Sequence, residues 1–192
     1  MLNVILFSLI FCHQVDSKMF DLIEEIDLEK VNYVTLEGTI ESDMANEVIS
    51  NIFEQEDDFY MYINSNGGDV ESGLKIVKMM KYTKHNNIKI TCIANKAMSM
   101  AFHIFQHCDE RLITPKAILM QHEMIVYLGG SIDETQELLQ KYIKWNNEIN
   151  IFDSQRIKMD LNMFLAELKN EIWLTGDDII INNAADRKII LK

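Results

Sequence analysis

The chain turns from a strand into a helix within the sequence IKITCIANKAMSMA, residues 88–101. The first half is apolar and rich in β-branched residues, so it predicts a buried strand over 88–94. Ser99 lies where this strand gives way to an apolar helix predicted over 99–107. A serine contributes little to a core, whereas the N–H groups at a helix N-terminus are oriented to bind an oxyanion. The position of Ser99 therefore favours a nucleophile.

Two flanking segments support this interpretation. Upstream, the alternating strand FYMYI at 59–63 is followed by NSNGGD at 64–69. Adjacent glycines allow positive φ and bring backbone N–H groups close to a ligand. Downstream, the strand-like run AILMQ at 117–121 leads directly into His122. A serine, a backbone donor loop and a histidine at a strand end are the parts of an acyl-transfer site.

Strands and helices alternate along the first two thirds of the chain. The hydrophobic periodicity predicts strands over 33–40, 59–63, 88–94 and 117–122, and helices over 43–55, 69–82 and 99–107. Repeated units of this length predict an α/β fold with a parallel sheet and helices on its faces. Sites in such folds gather at the carboxyl ends of the strands, where all three motifs fall.

A long helix is predicted over roughly 132–158, after a pair of glycines. Apolar and aromatic residues recur there at steps of four and three, which is typical of a heptad seam: Leu138, Tyr142, Trp145, Ile149 and Phe152. The opposite positions are polar. The seam is compatible either with packing on its own domain or with packing against a partner subunit.

Composition limits the classes of function. A chain of 192 residues with 48% apolar residues and one proline predicts one domain with a substantial core. Its formal charge of −12 argues against a nucleic-acid partner. The chain contains no Walker-type phosphate loop, so any ATP use is expected from a separate chain.

Cysteines and histidines outside the main motifs suggest structural roles. Three cysteines without CxxC spacing predict reduced thiols in a cytosol-like compartment and no structural zinc. Cys92 lies in an apolar strand and is expected to be a small buried residue. His103 and His107 have the i, i+4 spacing of a metal-binding pair, but a packed or solvated helix face is the favoured interpretation.

Six motifs in order resemble one known family, the proteolytic subunit of the Clp protease, within the wider ClpP/crotonase fold. The resemblance covers about residues 33–186. Its motifs are YVTLEGTI at 33–40, YINSNGG at 62–68, AMSMA at 97–101, ILMQH at 118–122, LGG at 128–130 and WLTG at 173–176. The LGG motif resembles the opening of the family's long, protruding handle helix, which here corresponds to 132–158.

The resemblance implies a role for each matching residue. Ser99 would be the nucleophile, His122 the general base, and the backbone N–H groups of Gly68 and Met100 the oxyanion hole. The family has an aspartate two residues before the aromatic position of Trp173, where this chain has Glu171. Glu171 is therefore expected to be the orienting acid; the alternatives are that Asp160 serves instead or that the site works as a dyad. No metal or cofactor is implied.

The same resemblance implies a serine endopeptidase of Clp type that cleaves unfolded polypeptides to short peptides. It implies a homo-oligomeric ring, in stacked heptamers, and a separate Clp ATPase unfoldase as partner. We also expect a cytoplasmic location, as the cysteines suggest, with targeting or processing through the apolar N-terminal segment as the alternative, and no membrane or nucleic-acid partner. Two alternatives stay open: a catalytically silent ring subunit, which Glu171 favours, and a crotonase-type acyl-CoA enzyme, in which Ser99 and His122 would have no joint role.

The N-terminal segment has two interpretations. Residues 2–12 are apolar, as in the core of a secretory signal, but no Lys or Arg precedes them, no cleavage motif follows, and they are too few to span a bilayer. The resemblance instead implies an axial-pore segment that docks the unfoldase. We therefore predict a leader or axial-pore segment over 1–30 and one peptidase domain over 31–192.

Overall fold

A computed structural model describes residues 24–192, which form an α/β fold around one sheet. The strands are β1 Glu24–Ile26, β2 Tyr33–Ile40, β3 Phe59–Gly68, β4 Ile90–Met98, β5 Glu110–Gln121, β6 Ile172–Thr175 and β7 Arg187–Leu191. Their order in the sheet is β1-β7-β5-β4-β3-β2. Neighbours along this path are parallel, and β6 pairs with β5 in the antiparallel sense. The predicted fold class is confirmed.

Six α-helices connect or follow the strands in the described part of the chain. They are α1 Ser42–Phe53, α2 Val70–His85, α3 Met100–Gln106, α4 Ile132–Arg156, α5 Leu161–Leu168 and α6 Asp178–Ile181. The first four match the predicted helices within a few residues. The helix α5 and the late strands β6 and β7 were not predicted, because short elements carry too few periods to stand out.

The large core lies on one face of the sheet. Alternate residues of β4 divide between two clusters: Cys92 and Ala94 join the helices in the main core, whereas Ile93 faces the opposite side. That opposite cluster is small, with Ile26, Leu112 and Ile189 beside Ile93, and holds no α-helical residue. Helices therefore cover one face of the sheet among the described residues, rather than both faces.

β4 ends at Met98, four positions beyond the predicted end at 94, and two other strands are also longer than the sequence predicts. β3 continues through the glycines to Gly68, with a shift in its pairing to β4 after Ile63. β5 begins at Glu110, seven positions before the predicted start at Ala117. In both cases the extra residues complete ladders with neighbouring strands, a tertiary effect that local periodicity does not contain.

The predicted seam of α4 divides into two parts. Ile149 is 7% exposed and belongs to the main core, and Phe152 stacks on the ring of His107. In the N-terminal half, the seam residue Leu138 remains exposed, as does Ile143 beside the seam. The C-terminal part of the seam thus packs on its own domain, whereas the N-terminal part leaves apolar side chains exposed.

The cysteine interpretation is wrong in one respect. Cys92 on β4 and Cys108 just after α3 form a disulfide, with their Cα atoms 5.8 Å apart. The β4–α3–β5 crossover brings them together, which their spacing in the sequence does not reveal. Cys92 is fully buried, as expected. With a disulfide present, the cysteines no longer indicate a cytosol-like compartment.

The N-terminal segment lies largely outside the described residues, which begin at Glu24. The leader or axial-pore segment predicted over 1–30 stays a prediction, although Glu24–Ile26 pairs with β7 at the edge of the sheet. Between residues 24 and 192, no helix has the length and apolar character needed to cross a membrane.

Candidate active site

Ser99 occupies a strained turn between β4 and α3. Its backbone has φ 54° and ψ −124°, a conformation that costs a non-glycine residue on the order of 1–3 kcal/mol. Three backbone hydrogen bonds hold it there: its N–H donates to the carbonyl of Met120 at 2.8 Å, and its carbonyl accepts from the N–H groups of Phe102 at 2.9 Å and His103 at 3.3 Å. The turn fixes the hydroxyl at the carboxyl end of the sheet.

His122 reaches the same point from the neighbouring strand. β4 and β5 are parallel and end in the pair Met98 and Met120, so the residues that follow emerge side by side. Nε2 of His122 lies 2.9 Å from Oγ of Ser99. The distance suits transfer of the serine proton to the imidazole. The pair selected from the sequence is therefore in contact.

The glycine loop lies directly against this pair, and its two glycines cannot be replaced without a clash. A Cβ on Gly68 would lie 2.3 Å from the carbonyl oxygen of Ile40, and one on Gly67 would lie 2.5 Å from that of Met98. Ser65 supports the loop, since its hydroxyl accepts from the Gly67 N–H at 3.1 Å. The loop brings backbone within reach of a group bound at Ser99.

Glu171 is near His122 in the sheet but makes another contact. The last pair of the β5–β6 ladder is Gln121 and Ile172, so His122 and Glu171 are the next residue on each strand. Oε2 of Glu171 accepts a hydrogen bond from the indole N–H of Trp173 at 2.8 Å. Among residues 24–192 no carboxylate hydrogen-bonds the His122 ring.

Asp160, the alternative acid, serves as a helix cap. Its Oδ1 accepts from the backbone N–H groups of Asn162 and Met163 at 2.9 and 3.2 Å, at the start of α5. Such caps typically contribute about 1 kcal/mol to stability. This structural use accounts for Asp160 without a catalytic role.

A cavity of about 160 Å³ opens beside Ser99. It is bounded by the glycine loop, by α3 and by the C-terminal half of α4, and is partly apolar. Its lining residues are Gly68, Val70, Ser99, Met100, His103, Gln121, His122, Met124, Ile125, Asn146, Ile149 and Asn150. A substrate side chain placed there would be next to the nucleophile.

A buried polar network behind the site was missed from the sequence. Nδ1 of His103 lies 2.7 Å from Oδ1 of Asp153, and the Gln121 amide donates to Oδ2 of Asp153 at 2.9 Å. The Gln121 side-chain oxygen accepts from the His122 backbone N–H at 3.1 Å. These three side chains are at most 5% exposed. Since Asp153 follows His103 by 50 positions, no local pattern signals the pair.

His103 and His107 do not form a metal site in the described structure. Their rings meet edge to face at 4.7 Å, and residues 24–192 contain no group of three or more acidic, His or Cys ligands. Burial lowers the pKa of His107 to about 2, with smaller contributions from nearby positive groups including His103. His107 is thus a neutral, packed ring, in line with the favoured interpretation.

Comparisons with known proteins agree with this geometry. The Clp protease family model matches residues 15–182. The ATP-dependent Clp protease proteolytic subunits of Streptococcus pneumoniae strains Hungary19A-6 and CGSP14 are each 24% identical to this chain over 173 residues, covering 82% of this chain and 88% of the relative. The motifs, the fold and the matched span together lead to one conclusion. This chain belongs to the Clp protease family.

Proposed function

We propose that this chain is a serine endopeptidase subunit of a Clp-type compartmental protease, which cleaves unfolded polypeptides to short peptides. The observation that carries the proposal is the 2.9 Å contact between Oγ of Ser99 and Nε2 of His122. The contact lies at the carboxyl end of a parallel sheet, beside a glycine loop and an open cavity. A nucleophile in contact with its base is the central requirement of acyl-enzyme chemistry.

In this mechanism His122 takes the Ser99 proton as Oγ attacks the peptide carbonyl carbon. The carbonyl oxygen becomes an oxyanion, which accepts hydrogen bonds from the backbone N–H groups of Gly68 and Met100. Met100 is the first residue of α3, where helix geometry leaves the N–H without an intrahelical partner. His122 then protonates the leaving amine, and water repeats the sequence to release the acyl group.

Glu171 is the proposed orienting acid. Its position opposite His122 at the end of the β5–β6 ladder supports this role. Rotation of its side chain away from the Trp173 indole would turn the carboxylate toward Nδ1 of His122. There it would fix the tautomer of the imidazole and stabilise the imidazolium that forms during attack.

We also propose that the subunit assembles into rings, stacked in pairs, and receives unfolded protein from a separate Clp ATPase. The N-terminal half of α4 supports assembly, since it exposes Ile132, Leu138, Leu139 and Ile143. Clustered exposed apolar side chains on one helix mark an interaction surface. A cytoplasmic location stays a prediction.

The catalytic proposal is tested with a serine-reactive fluorophosphonate and a fluorogenic peptide. The unmodified protein should label once and hydrolyse the peptide. Ser99→Ala should lose the label and on the order of 10⁶-fold in kcat, since removal of a triad nucleophile has that effect. Ser50→Ala, which changes an exposed serine on α1, is the matched control. Equal labelling of Ser99→Ala and the unmodified protein would contradict the proposal.

Assembly is tested by comparing two isoleucines of α4 in sedimentation experiments. Ile143 is 45% exposed, so Ile143→Asp should dissociate the ring and leave a folded subunit. Ile149 is 7% exposed within the core, so Ile149→Asp should unfold the subunit itself. If the unmodified protein sediments as a monomer, the ring proposal is wrong.

One observation favours a second candidate, a catalytically silent ring subunit. The Glu171 carboxylate is held by Trp173 instead of His122, so the imidazole has no orienting acid in this arrangement. The fluorophosphonate experiment separates the two candidates. A silent subunit would assemble normally and take up no label.

A further inference from the structure

We propose that His103 and Asp153 form a polar floor to the cavity beside Ser99, and that this floor selects substrate side chains able to donate a hydrogen bond. The selected side chain belongs to the residue that supplies the scissile carbonyl. The inference rests on the proposed peptidase function and adds a substrate preference to it.

The cavity is placed to receive that side chain. It is lined by Ser99, by His122 and by the two residues whose N–H groups would hold the oxyanion. A carbonyl carbon bonded to Ser99 Oγ, with its oxygen on those N–H groups, would direct its own side chain into the adjoining space. His103 is one helical turn beyond Ser99, so it lies on the same side of α3 and lines the same cavity.

Asp153 determines which His103 nitrogen faces the cavity as an acceptor. An ionised carboxylate only accepts hydrogen bonds, and both oxygens of Asp153 have partners, His103 on one and Gln121 on the other. Nδ1 of His103 therefore donates to Asp153, and in the proposed arrangement the ring is neutral, so that Nε2 keeps a lone pair.

Nε2 of His103 is available to a ligand. No described residue hydrogen-bonds it, yet no buried side-chain nitrogen or oxygen among residues 24–192 lacks a partner. In the proposed arrangement Nε2 faces the cavity, which His103 lines. An N–H donor of a substrate would satisfy it.

The remaining walls combine apolar and polar side chains. Met100, Met124 and Ile149 are apolar lining residues, and Asn150 adds a largely buried amide. Glutamine combines a flexible apolar stem with a terminal N–H donor. Methionine has a similar stem without the donor, and glutamate has the same shape as glutamine but brings a negative charge toward Asp153. We therefore expect the order glutamine, methionine, glutamate.

The test measures kcat/KM for three fluorogenic peptides that differ only in this residue. The unmodified protein should favour glutamine over methionine by about tenfold, the effect of one hydrogen bond to a buried group. His103→Phe should reverse the order of these two peptides. His107→Phe is the matched control, because His107 packs beside His103 but does not line the cavity. The control should keep the preference for glutamine.

Each outcome has one meaning. If the unmodified protein prefers the methionine peptide, the inference is wrong. This result needs no variant, so it holds even if His103→Phe folds poorly. An unchanged ratio in folded His103→Phe also overturns the inference. In both cases peptide hydrolysis itself persists, and the proposed function stands. If the unmodified protein neither hydrolyses the peptides nor takes up the fluorophosphonate label, both the inference and the proposed function are wrong.

Discussion

Two histidines near the cavity each have a carboxylate residue near them in the fold. Only one of the two histidines is hydrogen-bonded to its carboxylate. His103 holds Asp153 at 2.7 Å in a fully buried pair, with no hydroxyl hydrogen-bonded to its ring. His122 touches the Ser99 hydroxyl at 2.9 Å, while the nearby Glu171 is exposed and bonded to Trp173. The directly hydrogen-bonded histidine–carboxylate pair is thus His103–Asp153, and not the one beside the Ser99 hydroxyl.

The difference shows that the tight histidine–carboxylate contact beside this cavity is not at the Ser99–His122 pair. Asp153 is buried, so its carboxylate needs hydrogen-bond partners in the resting protein, because an unpaired buried charge is costly. Glu171 is solvated and bears no such cost, so its resting contact need not be the one used in catalysis. The Ser99–His122 contact, the glycine loop and the cavity mark the candidate active site instead.

Among the changes to the two histidine–carboxylate pairs, the largest expected effect comes from Glu171→Gln. Loss of an orienting triad acid lowers kcat by about 10⁴-fold. The free energy of unfolding should change by less than about 0.5 kcal/mol, since the side chain is exposed. Peptide hydrolysis and urea denaturation measure the two effects. Asp160→Asn is the control: it should weaken the α5 cap and leave kcat near that of the unmodified protein.

The outcome also distinguishes the alternatives for the acid. A near-normal rate in Glu171→Gln with a severe loss in Asp160→Asn would transfer the role to Asp160. Near-normal rates in both variants would show that Ser99 and His122 act as a dyad.

Asp153→Asn should show the reverse behaviour. The amide has one acceptor oxygen, so either His103 or Gln121 loses its partner in a buried site, at a cost of about 1–3 kcal/mol. Urea denaturation should therefore report lower stability, whereas kcat of the folded protein should fall far less than in Glu171→Gln. Unchanged stability would mean that the buried pair contributes nothing to the fold.

The variant His107→Phe extends the comparison to a histidine that has no carboxylate partner among residues 24–192. Burial holds its pKa at about 2, so below the ordinary value near 6.5 the unfolded chain binds a proton that the folded protein does not. Stability therefore falls as pH drops through this window, by up to about 1.4 kcal/mol per pH unit. The variant should lack this contribution. If the free energies of unfolding of the variant and the unmodified protein change in parallel between pH 7 and pH 4.5, this prediction is wrong.

Trp173→Phe tests whether the indole restrains Glu171. The variant keeps an aromatic ring at this exposed position and removes the N–H that binds the carboxylate. We expect kcat to stay within about a few-fold of the unmodified value and to rise if the contact competes with His122, since one hydrogen bond is worth about 1 kcal/mol. A loss as large as that of Glu171→Gln would show that Trp173 itself positions the acid.

Much of the site could be predicted because its signals are local. Ser99 lies at a strand-to-helix turn, the glycines follow a strand directly, and His122 ends another strand. Each signal occupies a few consecutive residues, and parallel strands bring their carboxyl ends to one edge of a sheet. The His103–Asp153 pair and the Cys92–Cys108 disulfide have no such signal, because their partners are far apart in the chain.

The amino-acid sequence alone was enough to establish the α/β class and the helix over 132–158, and to select Ser99 and His122 as the proposed nucleophile and base, since periodicity and turn chemistry are properties of neighbouring residues. The three-dimensional packing settled which half of α4 joins the core, which acid His103 uses and where the Glu171 carboxylate rests. These features depend on distances between separate elements, and burial makes the polar contacts among them obligatory.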